Sequence, residues 1–554
     1  MGVPGAFAYF LRNYKKYILN TDQIKVDYFF IDANCLIHPQ CFKILDENKN
    51  WKNINQLEKL MLDGIISYID YIINYANPQK CVYIAIDGVA PMTKIKHQRL
   101  RRFRSVVDYE YITNIKNKYK IDITNFWTNA SITPGTEFMK KITDKIIEYI
   151  ETKLKPANPK RKIIFSSAQS PGEGEHKIMQ FIRKKKFTEK DHLCIYGLDA
   201  DLLFLSLANK NKNIYLLREY KEINKSLSDF PFVYVNIDNL RECVVKTFKN
   251  VNIEHENVVQ DFIILCYLLG NDFIPHIPSL SIYDKGIDIV IDMYSQVYVD
   301  KPLIVIEDKK VNLNLDFLMG IFHLLSNNEI KYFRRQYNKK KETPIPTPNS
   351  YEEEIKYYDS LQFKYEDPIQ LGSDHPREWK KRYYEYYLSE YKPALVLKEC
   401  QLYIEGLIWI AHYYFVDCIS WTWYYPFDSA PFVSDLHYFL ANSKIRDISF
   451  KKGKPFQPIM QLLMVIPQKI NFLLPKYYRK LQTNQLKIYF PETYKIDYIN
   501  KKKGWEGLPV LPELNLDIIS KVINHTNKIV CEKKLSEECK YLNTINITIK
   551  DMNF

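Results

Sequence analysis

Through the first ~290 residues, short unbroken apolar runs alternate with longer segments of helical period, the signature of parallel strands joined by crossover helices. Four runs predict buried strands: "VDYFFID" ending at Asp32, "KCVYIAID" at Asp87, "RKIIFSS" at Ser167, and "LCIYGLDAD" at Asp201. The stretch "DFIILCYLLGNDFIPHIPSL" predicts an apolar helix closed by Gly270 and Asn271, leaving Asp272 exposed just past its end. From Lys339 to Pro376 the text turns to "KKKETPIPTPNSYEEE" and "EDPIQLGSDHP", Pro-rich and charged, which reads as a surface loop or linker. Beyond it, "REWKKRYYEYYL" predicts a basic aromatic helix and "QLYIEGLIWIAHYYF" an apolar one. The expected fold class is α/β: a mostly parallel central sheet flanked by helices, followed by a mainly helical second region.

Composition narrows this picture only a little. With 46% apolar and 14% aromatic residues in 554, including 43 Tyr, the chain can bury large cores and is not disordered. The formal charge of +13 suits a polyanionic partner without demanding one. Ten cysteines without a C-x-x-C pair or a Cys/His cluster at zinc spacing argue against structural zinc and a disulfide framework, so reduced thiols in an intracellular compartment are expected. The start "MGVPGAFAYFLRNYKKYI" lacks a signal-peptide layout and no apolar run reaches transmembrane length; a soluble protein with no membrane partner is expected.

The acids carry the chemistry. In open α/β sheets the site lies beyond the carboxyl ends of the strands, and that rule gathers Asp32, Asp87, Glu173, Glu175, Asp199 and Asp201 into one crevice. In "SPGEGEHKIMQF", Glu173 and Glu175 flank a single glycine at the mouth of a helix. Two such charges in low dielectric repel until one protonates, and a divalent cation removes that conflict. With Asp272 the set reaches seven carboxylates, suited to two Mg²⁺ ions, with Mn²⁺ as a substitute. One ion would activate an attacking water and the other would stabilise the leaving oxygen of a phosphodiester. Any one of these acids alone reads equally well as a helix N-cap; seven together do not.

"KIKHQRLRRFR", Lys94 to Arg104, follows with six Lys or Arg and no acid. On a helix, Lys94, Gln98, Arg101 and Arg102 share an arc of roughly 100°, a face that suits a terminal phosphate. The competing reading is a solvated basic face. His38, six residues past Asp32, reads by itself as a core or loop histidine. Trp421 and Trp423 in "SWTWYYP" could stack a base, although spacing alone favours core.

Taken in order, these segments resemble the XRN family of 5′→3′ exoribonucleases. The likeness runs through "MGVP", "IDANCLIH", "DGVAP" with "QRLRRFR", "ITPGTEFM", "PGEGEHKIM", "YGLDADLLFL", "LLGNDFIPHIPSL", "EWKKRYYEYY", "YIEGLIWI", "SWTWYYPFDSAP" and "IYFPETY". It implies a PIN-like 5′-nuclease domain over 1–290, a connecting segment over 291–376, and a second conserved region over 377–554 packed on the active site. Asp32, Asp87, Glu173 and Glu175 would then hold one metal, and Asp199, Asp201 and Asp272 the other. Lys94, Gln98, Arg101 and Arg102 match the family's 5′-monophosphate pocket; His38 and either Trp421 or Trp423 match its stacking clamp on the first base. The implied substrate is single-stranded RNA with a 5′-monophosphate, degraded to nucleoside 5′-monophosphates after decapping. A decapping enzyme is the implied partner. A monomer in the cytoplasm is expected, with "YNKKKE" leaving nuclear entry open.

The chain also departs from the family. Where "APRAKMNQQR" is usual it has "APMTKIKHQR", so Met92, Lys96 and His97 are substitutions, and Asp428 stands where a His is usual. Two rivals share parts of the pattern. A DNA flap endonuclease or 5′→3′ DNA exonuclease would carry a glycine-rich helical hairpin after the aspartate, but "IPSLSIYDKGIDIV" has one glycine. A catalytically dead RNA-binding decoy would have lost metal carboxylates, and all seven are present.

Overall fold

A computed structural model of the chain describes residues 5–122, 126–223, 231–248, 254–297, 301–361, 366–443 and 448–532. The "MGVP" start lies outside them.

The core is a seven-stranded sheet: β1 (Leu19–Asn20), β2 (Tyr28–Asp32), β3 (Cys81–Ala85), β4 (Lys162–Ser166), β5 (Leu193–Tyr196), β6 (Ile214–Glu219) and β7 (Phe232–Asn236). Their order is β1-β7-β6-β5-β2-β3-β4. β4, β3, β2, β5 and β6 run parallel, while β7 pairs antiparallel with β6 and with β1. The four strands predicted from apolar runs are β2 to β5. β1, β6 and β7 went unforeseen: β1 is two residues long, and β7 is held by antiparallel pairing at the far side rather than by a βαβ crossover.

Alternate residues of one strand enter different cores, as the pleat requires. Phe29 and Ile31 point to a cluster that includes Ile65, Ile69 and Ile146, whereas Phe30 joins Ile178, Leu202 and Phe262 on the other face. Burial on both faces explains why β2, β3 and β5 read as unbroken apolar runs. The second cluster extends without interruption into Trp379 and Trp409 of the later helices and into Phe432 beyond them. A third joins Ile95 and Phe103 to Ile459, Leu462 and Ile519, so the C-terminal part of the chain grips the long helix Met92–Lys118.

Strand order reverses between β2 and β5: from β2 the chain proceeds outward to β3 and β4, then returns to the other side of β2 as β5. Ligand crevices form at such switch points. The predicted linker is partly helical: helix Leu315–Glu342 runs through its first residues, and helix Tyr351–Asp359 buries Tyr358 against the long basic helix. The periodicity of "SYEEEIKYYD" outweighs its proline-rich neighbours. The two later helices lie at Pro376–Leu388 and Pro393–Phe415. Among the described residues no helix is long and apolar enough to cross a membrane.

Candidate active site

Asp32 ends β2, and Asp199 follows β5 across the switch point. Glu173 and Asp199 occupy the N-cap positions of helices Gly174–Lys184 and Ala200–Leu207, yet neither side chain caps its helix. The N-cap reading therefore fails for both. Glu175 and Asp201 lie in the first turns of the same helices. Asp32, Glu173, Glu175, Asp201 and Asp272 are all 5% exposed or less, while Asp87 is half-buried and Asp199 exposed. Asp272, expected to be exposed past its helix, is instead buried, because the turn after Gly270 folds back over the helix end: the Ile277 amide donates to the Leu268 carbonyl.

The glycine between the two glutamates has a steric reason. A Cβ on Gly174 would come 2.7 Å from Asp32 Oδ1 and 3.4 Å from Asp87 Oδ1. The Gly174 amide donates to Asp87 Oδ1 at 2.7 Å, and Asn34 Nδ2 donates to Asp87 Oδ2 at 2.8 Å. Cys35 Sγ donates to Asp32 Oδ2 at 2.9 Å. From helix Pro393–Phe415 two hydroxyls reach in: Tyr413 donates to Glu173 Oε1 at 2.9 Å and Tyr414 to Asp201 Oδ1 at 2.8 Å. Sequence reasoning missed Asn34, Cys35, Tyr413 and Tyr414. Only the tyrosines left a signal, two phenols ending an apolar helix that buries them, where each hydroxyl needs a partner.

Charge in this crevice is unbalanced. Burial first, and neighbouring carboxylates with it, push Asp32 and Glu175 well above the usual range and Asp87 and Asp201 up to about 6. Lys94 supplies the main counter-charge, its Nζ 2.6 Å from both Glu173 Oε2 and Asp272 Oδ2. Burial opposes the charge on Asp272 most strongly, but Lys94 and the other cationic groups around it, Arg101 among them, together hold that carboxyl well below its ordinary range. Lys94 in turn is held above its ordinary value against burial.

The residues fit divalent cations. Among the described residues Asp32 Oδ1 and Glu175 Oε2 are buried without a hydrogen-bond partner, which is costly unless something cationic meets them. Ligand atoms of Asp32, Cys35 and Asp199 lie within 4.8 Å of one another, as do those of Glu173, Glu175 and His176. Oxygen-rich sets of this kind suit hard cations.

The basic helix sorts its charges by direction. Arg99 donates to the carbonyls of Pro512 (3.0 Å) and Tyr489, and Arg104 to Asp108 (2.7 Å) and Tyr358. These two are structural. Lys94 enters the acid cluster. Arg101 is exposed, and Arg102 is oriented by Asn129 Oδ1 (3.1 Å) and Thr133 Oγ1 (3.2 Å). Gln98 accepts from Gln461, whose other amide atom accepts from the Ala90 amide. His38 lies beside both arginines: burial first, then Arg102 and Arg101, lower it to about 4. Its ring is neutral at physiological pH.

The tryptophans differ in setting. Trp423 heads a column in which it stacks on Trp409 (5.8 Å, 20°), Trp409 on Tyr413 (4.8 Å, 26°), and Tyr413 on His176 (3.7 Å, 29°). Trp421 is half-buried and, among the described residues, has no ring partner.

Comparison with known proteins supplies the family. Residues 1–220 match the XRN 5′-3′ exonuclease N-terminus, and residues 252–357 and 345–548 match the Xrn1 helical domain. The chain belongs to the XRN family. Among XRN relatives, the 5′-3′ exoribonuclease 2 of Gallus gallus is 28% identical, the match covering 92% of this chain and 68% of that one. The 5′-3′ exoribonuclease 1 of Homo sapiens is 29% identical over 92% and 33%, and that of Saccharomyces cerevisiae 27% over 92% and 42%. The chain thus spans from a third to about two thirds of the length of these XRN relatives. A crystal structure of T5 D15 protein co-crystallized with metal ions overlaps 55% of this chain and 92% of its own, at 10% identity and a TM-score of 0.25, too loosely to assign anything.

Proposed function

We propose that this chain degrades single-stranded RNA from a 5′-monophosphorylated end, one nucleoside 5′-monophosphate at a time, with two divalent cations of the Mg²⁺ class. The observation that carries the reading is Lys94: its ammonium joins Glu173 and Asp272 to the helix that also bears Gln98, Arg101 and Arg102. Acid cluster and phosphate face are therefore one rigid unit.

The residues divide the work. Arg102, already oriented by Asn129 and Thr133, and the exposed Arg101 present guanidinium forks to the 5′-phosphate. His38, neutral beside them, stacks on the first base without adding charge to the pocket. Trp421, lacking a ring partner among the described residues, is the tryptophan that completes the clamp. Tyr413 and Tyr414 hold Glu173 and Asp201 in fixed rotamers. Asp32, Asp87, Glu173, Glu175, Asp199, Asp201 and Asp272 would hold the cations, which when bound supply Lewis acidity at the scissile phosphodiester and ease loss of a proton from water. Each cleavage leaves a new 5′-phosphate for the same pocket. A cap or triphosphate does not fit that pocket, so a decapping enzyme acts upstream; the chain works as a monomer.

The test is decay of one 3′-labelled RNA bearing a 5′-monophosphate, 5′-triphosphate or 5′-hydroxyl, beside matching single-stranded DNA, with Mg²⁺, Mn²⁺ or chelator. Rapid, cation-dependent loss of the monophosphate RNA alone is expected. Equal decay of all three ends would overturn the pocket, and no decay in any arm would overturn the activity.

A further inference from the structure

Two of the chain's departures from the family pattern meet in space. Lys96 and Asp428 lie 332 positions apart in sequence, and Lys96 Nζ is 2.9 Å from Asp428 Oδ1. The same ammonium donates to three successive backbone carbonyls, Tyr425 (3.2 Å), Pro426 (2.8 Å) and Phe427 (3.1 Å). Four acceptors around one cation make a built cradle. A chance surface contact would engage one.

Direction gives this cradle its consequence. Two residues past Lys94, Lys96 points roughly 200° around the helix and so away from the acid cluster. It reaches the segment that carries Trp421 and Trp423. That segment is also tied to the helix start, where the Met92 amide donates to the Trp421 carbonyl at 2.9 Å. The first two turns of the phosphate helix thus hold the tryptophan loop at both ends, by Met92 at residue 421 and by Lys96 at 425–428. Lys96, Phe427 and Asp428 line a cavity of ≈ 560 Å³ whose wall also includes Arg101 and Asp272, so this end of the loop shares a cavity with one arginine of the phosphate face and one of the acids.

We propose that Lys96 is a positioning residue that couples base stacking to 5′-phosphate binding: by clamping residues 425–428 it fixes where the tryptophan of the loop stands relative to Arg101 and Arg102. Asp428 completes the clamp, and the pair acts as a unit. This rests on the exoribonuclease reading for its kinetic consequence, though not for the clamp itself.

Two measurements separate clamp from activity. Hydrogen–deuterium exchange on the full chain should show faster exchange across 421–428 in Lys96→Met than in the unsubstituted protein, and a smaller change in Asp428→Asn. Unchanged exchange in both variants overturns the clamp, whether or not the protein degrades RNA. The kinetic arm compares 5′-monophosphorylated RNA with the same RNA abasic at its first nucleotide. On intact RNA, Lys96→Met should raise KM about tenfold with kcat changed less than about threefold; on abasic RNA its KM should lie within about twofold of the unsubstituted enzyme. A purely structural lesion would raise KM equally on both substrates, and that result overturns the coupling. Asp428→Asn should follow the same split at about a third of the size, and the double variant should be no worse than Lys96→Met. Additive defects overturn the shared role. Should Lys96→Met not fold, Asp428→Asn carries both measurements alone.

Discussion

Lys94 and Asp272 form a buried ion pair 2.6 Å long inside a cluster of carboxylates. The ammonium stands among the oxygens that would otherwise bind a cation, so it competes with one. Lys94→Met should therefore destabilise the metal-free protein, by about 3–5 kcal/mol if the pair behaves like other buried pairs that lose one partner. The same variant should gain more from divalent cations, because the acids it leaves behind lose their closest counter-charge. Thermal unfolding with chelator and with excess Mg²⁺ checks both: the Mg²⁺-induced rise in Tm should exceed that of the unsubstituted chain. A smaller rise would mean that Lys94 helps hold the cations.

Asp199 and Asp201 sit at the start of one short helix, the first exposed and the second buried against Tyr414. Replacing both by Ala removes two of the proposed cation ligands and relieves repulsion while leaving Arg101 and Arg102 in place. Exonuclease turnover should fall by at least about 10³-fold, several kcal/mol of lost transition-state stabilisation, while affinity for 5′-monophosphorylated RNA stays within a few-fold. Single-turnover decay and filter binding measure the two quantities. Surviving decay would move the reaction to other residues.

The loop tryptophans should separate stability from binding. Trp423 stacks on Trp409, meets Phe450 edge-on and lies against Gly406, where a Cβ would stand 3.2 Å from its ring. Trp423→Ala should cost about 3–5 kcal/mol of stability, as large-to-small changes at packed aromatics do. Trp421→Ala should leave Tm almost unchanged and raise KM for RNA roughly 5- to 100-fold, the worth of one stacked base. Melting curves and KM for both variants decide it, and a reversed pattern would assign the base contact to Trp423.

How much of this could be read from the text differs by kind of residue. β2, β3 and β5 were legible because burial on both faces leaves an unbroken apolar run, and the acids at or just past their ends followed from topology alone; β4, at the sheet edge, is only partly buried and was legible from a shorter apolar run. The six basic residues from Lys94 to Arg104 were legible as a charged helix, but not as individuals. Lys94 and Lys96 are two positions apart and enter opposite environments, one among carboxylates and one among carbonyls, because a helix turns about 100° per residue and the partners they meet, such as Glu173 and Pro426, lie 79 and 330 positions away. Tyr413 and Glu173 meet across 240 positions, and no local pattern encodes that. Gly174 was visible only as a spacer; the oxygens packed against its α-carbon are a property of the assembled crevice.

The last prediction concerns Glu399, remote from the acids but directly behind the tryptophan loop. It is fully buried, and its Oε1 accepts from Ser429 Oγ at 3.1 Å and Tyr425 OH at 3.3 Å, while among the described residues Oε2 has no partner. Burial raises its pKa from 4.5 to about 8, with the two hydroxyls pulling the other way. The folded state therefore keeps a proton that the unfolded state gives up above pH 4.5. Stability from this group is full below that value and is lost as pH rises towards 8, by up to about 1.4 kcal/mol per pH unit. Glu399→Gln keeps the shape and removes the titration. Between pH 5.5 and 8.5 the stability difference between Glu399→Gln and the unsubstituted chain should move in favour of the variant, by on the order of 2–3 kcal/mol in denaturant titrations. A difference that stays flat with pH would show that Glu399 ionises in the folded protein as it does in water, and that water reaches Oε2 behind the loop.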